Sequence, residues 1–158
     1  MMREILFRGK DINTNKWCYG GYVRKVLFKN TKDEKIRHYI FDGENAGPIV
    51  MHEVNPETVG QAIWLKDVNG NEVFEGDIVE EVEPEWGEPS RAVAVFEDNN
   101  FVFGYNTGAI LSVEFFYNEI KIVGNIFDNE ELFQKISEQH RIKYYQEMKE
   151  LHGDLESL

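Results

Sequence analysis

The sequence predicts a mainly β protein: two small packed β modules, barrel-like or meander, followed by a long C-terminal α-helix. Three observations carry that expectation. β-Branched and aromatic residues gather in short runs separated by Asn, Asp and Gly, the pattern of strands and turns. A segment near the N-terminus recurs at a constant offset of 56 residues. The last part of the chain changes to apolar positions spaced by three and four, the period of an amphipathic helix.

The strands are expected at Ile5 to Arg8, Trp17 to Phe28, Ile36 to Phe41, Ala62 to Lys66, Ile78 to Val82, Ala92 to Phe96, Phe101 to Tyr105, Ile110 to Phe116 and Lys121 to Ile126. Asp67 to Asn71 is the clearest hairpin signal, because Asn69-Gly70 supplies the two positive φ angles that a type I′ turn requires. Glu97 to Asn100 and Asn106 to Gly108 read as further turns, which gives the close strand spacing of a meander, small barrel or sandwich.

At the offset of 56, Lys10 to Val23 lies over Lys66 to Val79 with six of fourteen positions identical and no gap. Both copies read as a polar hairpin, a short strand, a glycine (Gly20 or Gly76) at the bend and a following strand. Two similar modules, 1–55 and 56–127, are therefore expected within one β-rich domain. Their boundary falls near Asn55-Pro56, where the residue before proline is driven toward extended backbone.

The helix is expected over 128–152. Asp128 to Glu131 offers an N-cap with a glutamate three residues on, and Phe133, Ile136, His140, Tyr144, Met148 and Leu151 follow at helical spacing. Lys149 and His152 suit the negative end of the helix dipole, and Gly153 suits a left-handed C-terminal cap.

Composition narrows the function. The chain has 158 residues, 17 basic and 29 acidic side chains and a net charge of −12, so it repels a phosphate backbone and direct nucleic-acid binding is not expected. The charge is polarised: residues 1–41 carry +6 and the remainder −18. The sharpest acidic run is Glu72, Glu75, Asp77, Glu80, Glu81, Glu83, Glu85 and Glu88, with no Lys or Arg between them. It is either a solvated face or a surface complementary to a basic partner, such as the N-terminal segment of a second copy. Trp86, in a proline-bounded loop with Glu81, Glu83 and Glu85 beside it, is a candidate partner contact. No apolar run approaches the length of a membrane span and the N-terminus has no secretory pattern, so a cytoplasmic location is expected.

Catalytic motifs are missing. There is no phosphate-cradling glycine loop, no Gly-x-Ser-x-Gly elbow and no His-Glu-x-x-His pair. Cys18 is the only cysteine, and between Trp17 and Tyr19 its thiol pKa is expected to rise, which suits a structural role. His38, His52, His140 and His152 are scattered without metal-ligand spacing. No metal and no cofactor is therefore expected. Glu75 and Asp77 could pair as acid and base on a strand, but Gly76 between them points to an exposed turn.

The stretch Val54 to Gln61, with Pro56, Thr58, Gly60 and Gln61, continues from Leu65 to Val79 with Asp67, Gly70, Glu75, Gly76 and Asp77. Together with Met2 to Lys10 and Ile122 to Leu132 it resembles the YopX family of phage and prophage proteins. The family usually has a Thr-Gly-Leu step before the lysine, where this chain has Ile63-Trp64-Leu65, so Trp64 implies different local packing. The resemblance implies a β-rich, self-associating accessory protein of a phage or lysogenic bacterial host, with structural roles for the motif residues, no known activity and no catalytic residues. The expected function is non-enzymatic binding or assembly as a homo-oligomer, with a basic host or phage protein as a further partner. The alternative is an acidic inhibitor that imitates nucleic acid and occupies a host DNA-binding protein.

Overall fold

Strand follows strand through most of the chain because each apolar run ends at a residue that turns the backbone. The structure, a computed structural model, describes residues 5–43, 48–82, 89, 91–97, 100–104, 110–112 and 120–136. The chain divides into two compact units, Met1–Leu65 and Lys66–Leu158, ten residues later than the expected boundary at Asn55-Pro56.

In the first unit, β1 (Phe7–Lys10), β2 (Trp17–Leu27), β3 (Lys35–Asp42), β4 (Val50–Glu53) and β5 (Gly60–Lys66) are ordered β4-β3-β2-β1-β5. All their pairings are antiparallel. The long strand β2 changes partner along its length. Residues Trp17 to Gly20 face β1, and Gly21 to Leu27 face β3. Gly20 makes that change possible: its φ is +148°, and a Cβ there would overlap the Phe41 carbonyl oxygen. Cys18, Ile40 and Val54 form the buried centre, with Phe7, Tyr22 and Val59 packed against it. Tyr22 and His38 meet across the β2–β3 pair, with the Tyr22 hydroxyl 2.6 Å from His38 Nδ1.

Strand β4 has no counterpart among the sequence expectations. Its four residues carry little β-branched character apart from Val50, and β3 supplies the ladder that makes them a strand, from Asp42↔Val50 to Tyr39↔Glu53. After it, Pro56–Thr58 forms a 3-10 turn capped by Asn55, whose side-chain oxygen accepts the Glu57 N–H. Proline fits the start of such a turn because the first N–H groups have no internal partner.

The second unit begins with the Asp67–Asn71 turn and the short β6 (Glu72–Phe74), then β7 (Asp77–Glu81), β8 (Arg91–Glu97), β9 (Asn100–Gly104), β10 (Ile110–Ser112) and β11 (Ile120–Asn125). Strands β7 to β10 form an antiparallel meander, and β11 returns to the other side of β7, giving the order β10-β9-β8-β7-β11. The expected meander is realised here. Strand β11 carries a register shift between Ile122 and Gly124. A helix, α1, occupies 130–136. It starts after Asn129, one residue past the expected cap at Asp128, because Asn125 takes the Phe127 and Asp128 N–H groups on its own Oδ1 and holds them in a turn. Ile136 is buried against Ile78 and Val93, with Leu132 and Phe133 packed beside it. The start of the apolar stripe is thus used inside this unit. His140, Tyr144, Met148, Lys149, Leu151, His152 and Gly153 lie outside the described residues. Among the described residues no helix is long and apolar enough to cross a membrane.

Candidate functional site

Strand β1 ends in a turn that Asp11 organises. Its Oδ1 accepts the backbone N–H groups of Asn13 at 2.9 Å and Thr14 at 2.8 Å, and the Thr14 hydroxyl at 3.2 Å. Asn15, at φ +56°, adopts the left-handed conformation that lets the chain turn back, and Asp11 N–H donates to Lys16 C=O. Asp11 is buried, and its pKa falls to about 2, first through the Thr14 and Asn13 N–H groups, against the upward push of burial and with further help from His52. It is a carboxylate at any physiological pH.

The neighbouring strand brings the other groups. Ile12 N–H donates to Glu53 C=O and Asn55 N–H to Lys10 C=O, which fastens the end of β4 beside the turn. His52 on β4 then places Nδ1 3.2 Å from Asp11 Oδ2. Cys18 on β2 contributes a buried thiol whose sulfur lies 3.7 Å from Lys16 C=O. The three donor atoms of Asp11, Cys18 and His52 all lie within 4.8 Å of one another. They line a cleft of about 390 Å3 together with Thr14, Lys16, Trp17, Tyr19 and Asp42. Burial, with the negative charges of Asp11 and Asp42, pushes the Cys18 thiol up, so the cysteine alone is a poor nucleophile. No local motif announces this cluster, because His52 stands far along the chain from Asp11 and Cys18.

The motif residues singled out in the sequence occupy turns and joints. Thr58 is buried; its Oγ1 accepts Lys10 N–H at 2.9 Å while its hydroxyl donates to Asn55 C=O at 2.7 Å. Gly60 and Gln61 stand opposite Arg8 and Phe7 in the β1–β5 ladder. Asp67 repeats the role of Asp11 in its own turn, with Oδ1 accepting the N–H groups of Asn69 and Asn71. Gly70 and Gly76 both have φ +83°. Gly76 also donates to Ala94 C=O and accepts from Ile126 N–H, and a Cβ there would lie 2.9 Å from the Phe127 ring. The two copies of the repeat therefore share the aspartate-capped hairpin and differ at the glycine, which lies within a strand in one copy and in a turn in the other.

Glu75 and Asp77 do not form the exposed turn that Gly76 suggested. Gly76 does turn the chain, but Asp77 opens β7 and is 2% exposed, its Oδ2 accepting Phe74 N–H at 2.9 Å. Within the acidic run, Glu80 is held by the Arg91 guanidinium at 2.5 to 2.6 Å, and Glu81 pairs with Ile120 across β7 and β11. Trp86, Glu83, Glu85 and Glu88 lie outside the described residues. The basic N-terminal segment is also unevenly available. Arg8 and Lys10 are buried and sit over the Trp17 ring at 4.5 and 5.3 Å, whereas Arg24, Lys25, Lys29, Lys32 and Lys35 on the β2–β3 hairpin are exposed.

Among solved structures, the chain is similar to the crystal structure of protein EF1440 from Enterococcus faecalis, with 21% identity and a TM-score of 0.49 over 82% of this chain and 97% of that one. No curated protein matches it. The profile of the YopX protein family matches residues 6–134, and with most of its length inside that match the chain belongs to the YopX family.

Proposed function

We propose that the chain is a phage- or prophage-encoded accessory protein, resident in the bacterial cytoplasm, that works by self-association and binding and not by catalysis. The observation that carries this reading is the β2–β3 hairpin. It exposes Arg24, Lys25, Lys29, Lys32 and Lys35 around Phe28, which is 64% exposed, and Ile36, which is 48% exposed. On a chain of net charge −12, a hairpin whose five cations outnumber the exposed Asp33 and Glu34 at its turn suits an acidic surface, and a second copy of the same chain offers one. Apolar burial would supply most of the affinity and the charges mainly register and rate. A closed cyclic assembly is the natural outcome, since it avoids open-ended growth.

Light scattering of the full chain at micromolar concentration tests the proposal. A mass that is a whole multiple of 18.5 kDa, falling to a single chain in Phe28→Ser with Lys29→Glu, supports it. A single-chain mass throughout the concentration range refutes it. A pull-down from host lysate separates the alternative: salt-sensitive capture of DNA-binding proteins would favour the nucleic-acid mimic.

A further inference from the structure

We propose that Asp11, Cys18 and His52 form a binding site for one thiophilic divalent cation of the zinc class, ligated by Asp11 Oδ2, Cys18 Sγ and His52 Nδ1, with a fourth position open to the cleft.

The donor set selects the metal. One sulfur, one imidazole nitrogen and one carboxylate oxygen suit zinc and its neighbours, whereas magnesium and calcium take oxygen ligands. The geometry is close to what a tetrahedral ion needs. Bond lengths of about 2.0 to 2.3 Å place neighbouring ligand atoms roughly 3.3 to 3.6 Å apart. Asp11 Oδ2 and His52 Nδ1 are already 3.2 Å apart, and all three donor atoms lie within 4.8 Å of one another. Asp11 is pre-oriented, because Asn13 and Thr14 hold its other oxygen. Such outer contacts fix a ligand's direction and raise metal affinity. The cleft also carries Asp42 and Lys16, whose opposite charges leave the Asp11 carboxylate as the net attraction for a cation.

Binding has a defined proton balance. Cys18 is a thiol in the metal-free protein, so the incoming cation displaces the Sγ proton to solvent and one proton is released per ion bound. In the metal-free protein His52 Nδ1 faces the Asp11 carboxylate, which only accepts, so Nδ1 carries the imidazole proton. For the cation to take the Nδ1 lone pair, that proton passes through solvent to Nε2, with no net change on the ring.

Because Cys18 is the only cysteine, spectroscopy reports on it without ambiguity. The full chain, stripped with chelator and kept reduced with a phosphine, is titrated with cobalt(II) as the probe. A near-ultraviolet sulfur-to-cobalt charge-transfer band that saturates at one equivalent, and is reversed by zinc(II) but not by excess magnesium(II), is the expected result. Cys18→Ser should abolish the band, and His52→Gln should weaken binding by about tenfold or more, with circular dichroism unchanged in both. Asp11→Asn is a weaker test because Asp11 also holds its turn, so Cys18→Ser and His52→Gln decide the outcome. No charge-transfer band would overturn the proposal and leave an Asp11–His52 pair beside a buried thiol. Saturation at half an equivalent would overturn it too, since two chains would then share one ion, as would a band that persists unweakened in His52→Gln.

Discussion

The Ile122 amide donates to Asp67 Oδ2 at 3.3 Å, joining a turn to a strand 55 residues further along the chain. The opposite oxygen of the same carboxylate accepts the Asn69 and Asn71 N–H groups, and Val68 N–H donates to Ile120 C=O. One buried side chain thus shapes the hairpin and fastens it to β11. Asp67→Ala leaves the part-buried N–H groups of Asn69, Asn71 and Ile122 without this acceptor, which costs about 1 to 3 kcal/mol. Urea denaturation should show a lower midpoint with an unchanged slope, and Asp67→Asn, which keeps one acceptor, should lie between the two.

The same residue sets a pH dependence. Burial pushes the Asp67 pKa up, but the N–H groups of Asn71, Ile122 and Asn69 with the Asn71 amide outweigh it and hold the value below 3.8. A carboxyl with a depressed folded pKa contributes stability that is complete above its unfolded pKa, about 3.9, and is lost as pH falls through the folded value. Wild type should therefore lose more stability than Asp67→Asn on acidification below about pH 4. Parallel slopes for the two proteins in that window would contradict it.

Gly20 and Gly21 differ sharply although they are adjacent. Gly20 is in the left-handed region and faces the Phe41 carbonyl, whereas nothing lies within 4 Å of a Cβ at Gly21. Gly20→Ala should destabilise by at least about 3 kcal/mol, combining backbone strain with a clash against rigid main chain. Gly21→Ala should fall within about 0.5 kcal/mol of wild type, or gain slightly from the loss of glycine entropy. Thermal melts of the pair measure the contrast directly.

Turn chemistry was the legible part of this sequence. Asp11 and Asp67 both cap hairpins, because a short carboxylate can accept N–H groups two to four residues ahead wherever it stands. The offset of 56 residues exposed that shared logic, but not the difference within it: the left-handed residue is Asn15 in one copy and Gly70, one position earlier, in the other. Gly20 and Gly76 align in sequence yet serve different ends, since a glycine's use depends on what approaches it. β4 was hidden because its ladder with β3, and not its own composition, makes it a strand. The cluster of Asp11, Cys18 and His52 was hidden for the same reason. Only the register that sets Val54 against Asp11 brings His52 to the turn.

Thr58 links the 3-10 turn to β1 through a buried hydrogen bond that spans 48 residues. Thr58→Val keeps the shape and removes the hydroxyl, so Lys10 N–H loses its acceptor and Asn55 C=O a donor. The cost is about 1 to 3 kcal/mol. Thr58→Ser keeps both bonds and should lose much less. Equal losses in the two variants would show that the methyl group matters and the hydroxyl does not.

Trp64 has a backbone conformation that favours glycine. Its φ is +66° within β5, a region that costs an L-residue about 1 to 2 kcal/mol. The side chain is 43% exposed, so its bulk is accommodated by pointing partly outward while the main chain keeps the bend. Comparing two truncations isolates the backbone term, because Trp64→Ala and Trp64→Gly lose the same indole contacts. In an ordinary strand alanine is the more stable of the two by about 0.5 to 1 kcal/mol. At this position the order should invert, with Trp64→Gly more stable than Trp64→Ala by about 1 kcal/mol. Equilibrium unfolding of both variants settles it: if alanine is the more stable, the left-handed strain assigned to residue 64 is not present in the folded protein.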